Sequence, residues 1–329
     1  MPIEIRKPDY KRLEDAPLEY QRLPLLQERM DADESIFFAR ELEYIKAKTY
    51  DIKFPQLKAR QLLPVEYEAN AGSLSITYQQ FTQSGMAKII SNYADDLPRS
   101  DVRGKEFTVP VRTIGSSYGY NIDEINSAKM AGRPLTARKA TAARRSHMVR
   151  ENDIAWNGDA ENGYVGFLKN PNASEVVLAA DGSGNSKAFS TKDTAKIIRD
   201  IVSLPTKVHD ISNGVETADT LLLPIDQWNY IANTRLPDTN ISIKDWILGA
   251  SPHLKRIEWL RELKTAGAAN TTRMLCYRYD PDAVTLEIPS EFRQLPVQEK
   301  NMEFVVNTHQ RFGGVIVYYP LSIAYADGI

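Results

Sequence analysis

One stretch constrains the fold more than any other, Asn121 to Asn170: NIDEINSAKMAGRPLTARKATAARRSHMVRENDIAWNGDAENGYVGFLKN. A short helix is expected from about Ile122, with Asn121 or Asp123 as its cap, because a side-chain oxygen there accepts from unpaired first-turn N–H groups. Gly132 and Pro134 then interrupt. Proline lacks an N–H and fixes its φ, so it suits the first turn of a new helix. From Leu135 to about Trp156 nothing breaks the helical pattern, which gives a rod roughly 30 Å long, and Gly158 ends it. The apolar stripe is thin: Ala137, Ala140, Ala143, then Met148, Ile154 and Trp156. Arg133, Arg138, Lys139, Arg144, Arg145 and Arg150 make the rest basic. A long rod with so thin a stripe fits a helix lying along a sheet with one side open. Its arginines form either a solvated face or a face turned toward an acidic surface.

The chain of 329 residues suits two domains, or one elongated domain with arms. Its 41 basic and 43 acidic residues leave a net charge of -2, which counts against a dedicated nucleic-acid binder. The one cysteine, Cys276, excludes an internal disulfide framework and reads as a small buried hydrophobe in the strand-like RMLCYRY. MPIEIRKPDY shows no apolar signal core, and no run reaches the length of a membrane span. The expectation is a protein made and assembled in the cytoplasm, without a membrane partner.

In chain order, residues 1–34 are charged and interrupted by Pro2, Pro8, Pro17 and Pro24, an extended arm with little core of its own. Ser35 opens a helical pattern with Ile36, Phe37, Phe38, Leu42 and Ile45. Residues 61–120 are strand-rich, and between the strands NYADDLPRSDVRG reads as a charged loop tip. Beyond the long helix, residues 191 to about 290 read as a compact α/β unit. TKDTAKIIRDIVSLP is an amphipathic helix with a Thr cap and a Pro stop. ADTLLLPIDQWNYIAN is a buried strand entering a helix through Pro224, and SIKDWILGASP is a short capped helix. RIEWLREL, TRMLCYRY and AVTLEIP are strands, and residues 299–329 return to β structure.

No catalytic, cofactor or metal site assembles from these residues. Gly115-Ser116-Ser117-Tyr118-Gly119 fits the G-x-S-x-G pattern of a hydrolase elbow, but Tyr120 and Asn121 intervene before the helix and no HGGG-type segment exists. A hydrolase would need a base among His147 on the long helix, His209 and His253 in loops, or His309 in a strand. These histidines and Cys276 lack zinc spacing. DGSGNSK (Asp181 to Lys187) lacks phosphate-loop spacing and reads as a flexible loop. Asp280-Pro281-Asp282 reads as a turn.

The series RQLLPV, NGDAENGYVGFLKNP, ADTLLLP, SIKDWIL, RMLCYRYDPDAVTLEIP, LPVQ and the terminal GGVIVYYPLSIAYADGI resembles the major capsid proteins of tailed bacteriophages. More narrowly, it is similar to the family known as domain of unknown function 2184, in collinear order over about residues 35–329. The resemblance implies an α+β, Hong Kong 97-type capsid fold. Residues 1–34 would be the N-terminal arm, 35–60 a helix and extended segment of the peripheral domain, and 61–120 strands with the extended loop. Residues 121–190 would carry the spine helix and peripheral domain, 191–297 the axial domain, and 298–329 the return strands. The implied function is a head subunit self-assembling as hexamers and pentamers of an icosahedral shell around packaged DNA. Asp95, Asp96, Arg99, Asp101 and Arg103 would make assembly contacts. Arg138, Arg144, Arg145 and Arg150 would face the lumen and touch DNA without sequence specificity. Some relatives carry a scaffold-like segment before the arm; here the helix at Ser35 comes too early for one, so a separate scaffolding protein is implied, with a portal and decoration proteins as further partners. Subunit cross-linking does not carry over, since its lysine, asparagine and acidic partners find no match. Two other readings are an encapsulin-like nanocompartment shell and a serine hydrolase at GSSYG.

Overall fold

The computed structural model describes residues 55–89, 99–131, 135–237 and 239–329. All of these but Pro55 fall in one compact unit, Gln56–Ile329. The expected arm, the helix opened by Ser35, and Asp95 and Asp96 lie outside the described residues.

The described chain begins with a one-turn helix α1 (Ala59–Leu62) and a short strand β1 (Val65–Glu66). Strands β2 (Ser75–Ser84) and β3 (Asp101–Pro110) form a hairpin, and β4 (Arg112–Asn121) runs directly into helix α2 (Ile122–Met130). The long helix α3 (Leu135–Asn157) follows, then the short strands β5 (Gly158–Asp159), β6 (Tyr164–Val165) and β7 (Ser174–Val176). Next come helix α4 (Thr194–Ile211), β8 (Thr220–Leu223), α5 (Ile225–Asn233), α6 (Ile243–Ala250), β9 (Arg256–Trp259) and β10 (Arg273–Tyr277). The remainder is β11 (Val284–Glu287), β12 (Ser290–Gln294), β13 (Gln298–Lys300), β14 (Glu303–Phe312), β15 (Gly314–Val317) and β16 (Ile323–Asp327). Helices and mostly antiparallel strands are intermixed, the expected α+β class.

A mixed sheet in the order β7-β16-β10-β8-β9 divides two cores. Successive side chains of a strand point to opposite faces, so each strand serves both. Leu222, Leu275, Tyr277, Ile323 and Tyr325 face a core with Trp156, Phe167 and Leu168. Leu221, Leu223, Met274, Cys276, Ala324 and Ala326 face a second core with Ile197, Ile201, Leu204 and Val208 of α4. Burial on both faces explains the unbroken apolar runs of β8 and β10. Two of the five strands, β7 and β16, come from outside residues 191–297, and β11 pairs elsewhere, between β1 and β15. A third sheet has β14 at its centre, with β4 along one side for ten residue pairs and β12 and β13 on the other.

Four local expectations are corrected. Helix α4 continues through Pro205 to Ile211 instead of stopping. An interior proline costs about 3 kcal/mol, but Leu204 and Val208 on either side of it are fully buried, and two such side chains contribute about 3–6 kcal/mol. The same continuation puts His209 in the last helical turn and not in a loop. The cap of α4 is Asp193, whose side chain makes no capping bond. At α2 the cap position is Asn121, but its side chain makes no capping bond, and Glu124 in the first turn is instead paired with Lys139 at 2.7 Å.

Candidate assembly surfaces

The hairpin pairs without interruption from Ser75 with Pro110 to Ser84 with Asp101, an arm about 33 Å long. Only its root is packed. Ile76, Tyr78, Phe107 and Val109 are half-buried, and Tyr78 stacks on Phe107 at 5.3 Å and stands edge-on to Tyr318 at 4.9 Å. Farther out, both faces are open. Gln79 donates to Glu106 at 2.7 Å. Phe81 is 64% exposed, its ring lying over Gly104, where an added Cβ would come within 3.0 Å of it. Val102 is exposed on the same face. Arg99, Asp101 and Arg103 are all exposed at the tip, and Arg103 approaches Asp101 to only 3.9 Å, a solvated pair of little worth. An isolated two-stranded ribbon is at best marginally stable in water, and beyond its root this one is largely exposed among the described residues.

The long helix spans 23 residues against β4, as expected of a rod on a sheet. Arg138 and Arg144 are exposed on it, and Arg145 is half-buried. Arg150 is held within the subunit, donating to Asp153 at 3.2 Å and to Asp159. The face turned inward differs from the apolar stripe expected of it. Ala137 and Met148 are exposed, Ala140 is half-buried, and the buried line is Ala143, His147, Glu151, Asn152, Ile154, Ala155 and Trp156. The opposing strands explain the change: they present Ser116, Thr308 and Gln310, so the helix answers with polar groups.

These groups form a continuous seam. His147 Nε2 lies 2.9 Å from the Thr308 hydroxyl and 3.1 Å from that of Ser116, and Nδ1 lies 3.3 Å from Gln310 Oε1. Gln310 commits its amide N–H to Glu151 at 2.8 Å, so its oxygen accepts from His147, and the network assigns the ring proton to Nδ1. Glu151 accepts a fork from Arg60 at 2.6 and 2.8 Å, and Arg60 also donates to Glu291 at 2.7 Å. Helix α1, α3, β4, β12 and β14 are thereby tied through one set of bonds. Burial, chiefly, holds His147 below the usual imidazole range. It is therefore neutral in the folded chain, and its contribution to stability is lost as pH falls below the unfolded value of about 6.5. Replacing it by asparagine is expected to lower stability at pH 7, and the gap to the unaltered chain to narrow toward pH 5 by up to about 1.4 kcal/mol per pH unit, read from urea midpoints at each pH.

The other sequence candidates are accounted for by this architecture. Ser117 of GSSYG sits within β4 opposite Asn307, and the strand runs on to Asn121, so no nucleophile elbow forms. The loop at Asp181 is pinned: Asp181 meets Arg199 at 2.9 Å and Lys192 at 3.4 Å, while Lys192 is bonded to Asp200. Asp280 accepts from the Asp282 N–H at 3.0 Å in the expected turn. Cys276 is buried in β10. Among the described residues, no group of three or more His, Cys, Asp or Glu could hold a metal ion, and no helix is long and apolar enough to cross a membrane.

The described chain combines a hairpin exposed beyond its root, a long helix laid on the β4–β14 sheet and a second core beyond the five-stranded sheet, and its fold is the Hong Kong 97-type shell fold. Solved shells share it. The capsid of Myoviridae phage XM1 superposes with a TM-score of 0.78 at 17% identity, covering 90% of this chain and 99% of that one. A structure from Mycobacterium phage Ogopogo gives 0.60 at 11% identity, over 89% and 99%. A virus-like particle from Pyrococcus furiosus gives 0.52 at 10% identity, over 81% and 91%. No curated protein matches the sequence. The sequence model of the major capsid protein family matches residues 85–329, and the chain belongs to that family. It is a phage head-shell subunit.

Proposed function

We propose that the chain builds an icosahedral tailed-phage head as hexamers and pentamers around packaged DNA. The observation that carries this reading is the hairpin, which packs on no other described part of its own subunit beyond its root. In this reading the arm (1–34) is ordered by neighbours. The tip, with Arg99, Asp101 and Arg103 and the adjoining Asp95 and Asp96, pairs with charges on another subunit. Residues 191–297 supply most of the axial domain, and the remainder the peripheral domain. A separate scaffolding protein, a portal and decoration proteins complete the head, which assembles in the host cytoplasm. Electron microscopy of the purified full chain tests the reading directly: closed shells or ring-shaped capsomers support it, and a stable monomer under all salt and scaffold conditions contradicts it.

The exposed arginines of α3 line the lumen in this arrangement. DNA offers them phosphates only, since nothing nearby can enter a groove and read bases. Arg138 and Arg144 are the pair to test, because Arg150 is occupied within the subunit. Changing both to glutamine is expected to leave empty shells intact and to weaken filled ones. The log–log salt slope of DNA association should fall by about 0.9 for each phosphate that is no longer neutralised. Failure of empty shells to form would make these arginines structural partners and remove the lining role.

A further inference from the structure

We propose that Glu66 and Glu287 form a proton-sharing carboxyl pair that fastens the root of the β2–β3 hairpin, so that the hairpin's seating on the subunit depends on pH. This concerns the subunit alone and stands apart from how subunits are arranged in a shell.

The pairing of β1 with β11 sets Glu66 directly beside Glu287 on adjacent parallel strands. Glu287 is 3% exposed and Glu66 is half-buried. The Thr285 hydroxyl donates to Glu287 Oε1 at 2.8 Å, and the Tyr318 hydroxyl lies 3.5 Å from the same oxygen. The Tyr318 ring is the one that stands edge-on to Tyr78 of the hairpin at 4.9 Å. A second route runs through Gly313, whose N–H donates to the Glu287 carbonyl at 2.9 Å. A Cβ on Gly313 would come within 2.8 Å of Glu287 Cβ and 3.0 Å of Ile76 Cδ1. Glu287 is thus coupled to both inward-facing root residues of β2.

The titratable groups facing the pair are Glu68, beyond β1, Asp282, in the turn before β11, and Tyr318, beyond β15. Two are acidic, and the third is a phenol pushed up to about 12 by burial. No lysine or arginine forms an ion pair with either carboxyl among the described residues. Two adjacent carboxylates without a cation cannot both ionise cheaply. Burial first, then the hydrogen bond and charge of Glu287, push Glu66 up to about 7 from an ordinary 4.5. Below that range the Glu66 acid donates its proton into a hydrogen bond with the Glu287 carboxylate. Above it, two like charges face each other between β1 and β11.

A folded-state value above the unfolded one gives stability that is fully present below pH 4.5 and lost as pH rises through about 7. Between pH 6 and pH 8 this linkage amounts to about a tenfold loss in the closed-to-open ratio. His147 acts in the opposite direction, so the sign separates the two.

Amide hydrogen exchange on the full chain, corrected for intrinsic base catalysis, reads this loss. Protection of β1, of β11 and of the Ile76, Tyr78 and Val109 amides is expected to fall about tenfold from pH 6 to pH 8. Glu66→Gln should abolish the fall, because its amide N–H donates to Glu287 at every pH, while Glu68→Gln should leave it unchanged. Should Glu66→Gln fail to fold, Glu287→Gln is read the same way, its amide donating to Glu66. The proposal is overturned if the unaltered chain shows no fall, if the Gln variants show the same fall, or if the loss is equally large in α4 and β8.

Discussion

Replacing Trp156 by alanine is expected to destabilise the folded subunit by about 3–5 kcal/mol, seen as a lower denaturation midpoint with an unchanged slope. Trp156 is completely buried, where the C-terminal end of α3 meets the central sheet. Its ring lies 6.0 Å from Phe167, which in turn stands edge-on to Tyr277 at 5.1 Å. Its indole N–H donates to Asn152 Oδ1 at 3.1 Å, and the same oxygen accepts from the Ala59 N–H at 3.1 Å. Alanine would therefore leave a cavity and loosen the oxygen that orients α1. Trp156→Phe keeps most of the volume and the Ala59 bond, so its cost should be clearly smaller. A loss below about 1 kcal/mol for the alanine variant would mean that the site collapses onto itself, and that this end of the helix is not what fixes the helix to the sheet.

The features legible in the sequence are those whose cause is local. Gly158 ends the long helix at φ +79, and an added Cβ would come within 2.4 Å of the Gly166 nitrogen, so the stop is enforced by backbone sterics. The hairpin announces itself because Ile76 and Tyr78 alternate with polar residues, and Phe107 and Val109 do the same opposite them. The polar seam escapes such a reading because its causes are distant along the chain: Gln310 is 163 residues from His147. A signal is present nonetheless. Val306, Thr308, Gln310 and Phe312 share one face of β14 by the period of two, and all four are buried. Ala143, His147, Glu151 and Ala155 make a row at helical spacing of four, also buried. Polar residues in register with apolar ones on both elements mark a buried hydrogen-bonded interface, which hydropathy alone assigns to solvent. Glu287 escapes notice for the same reason. The division of the chain at residues 191–297 rests on the resemblance and on the run of local element patterns, and neither reveals that β7 and β16 add to the sheet of β8–β10.

Shortening the hairpin is expected to abolish shell formation while leaving the subunit folded. The cut follows the ladder: Gln79 pairs with Glu106, so residues 80–105 can be replaced by Asn-Gly, whose backbone suits a two-residue turn between twisted strands. The packed root, with Ile76, Tyr78, Phe107 and Val109, survives intact. The described residues of the removed part belong to neither core, and apart from the half-buried Gln80 its cross-strand pairs are exposed, so the thermal midpoint should move by no more than a few degrees. That is the shift about 1 kcal/mol produces in a protein of this size. Assembly should respond in an all-or-none way, because each subunit would lose the exposed Phe81 and Val102 and the charged tip at once, and a closed shell multiplies that loss by every symmetry copy. Sedimentation and electron microscopy of the shortened chain read the outcome. Shells of normal size from a chain lacking residues 80–105 would show that the hairpin carries no assembly contact. Subunits that unfold would show instead that the hairpin contributes to the fold of its own chain, contrary to its exposure on both faces.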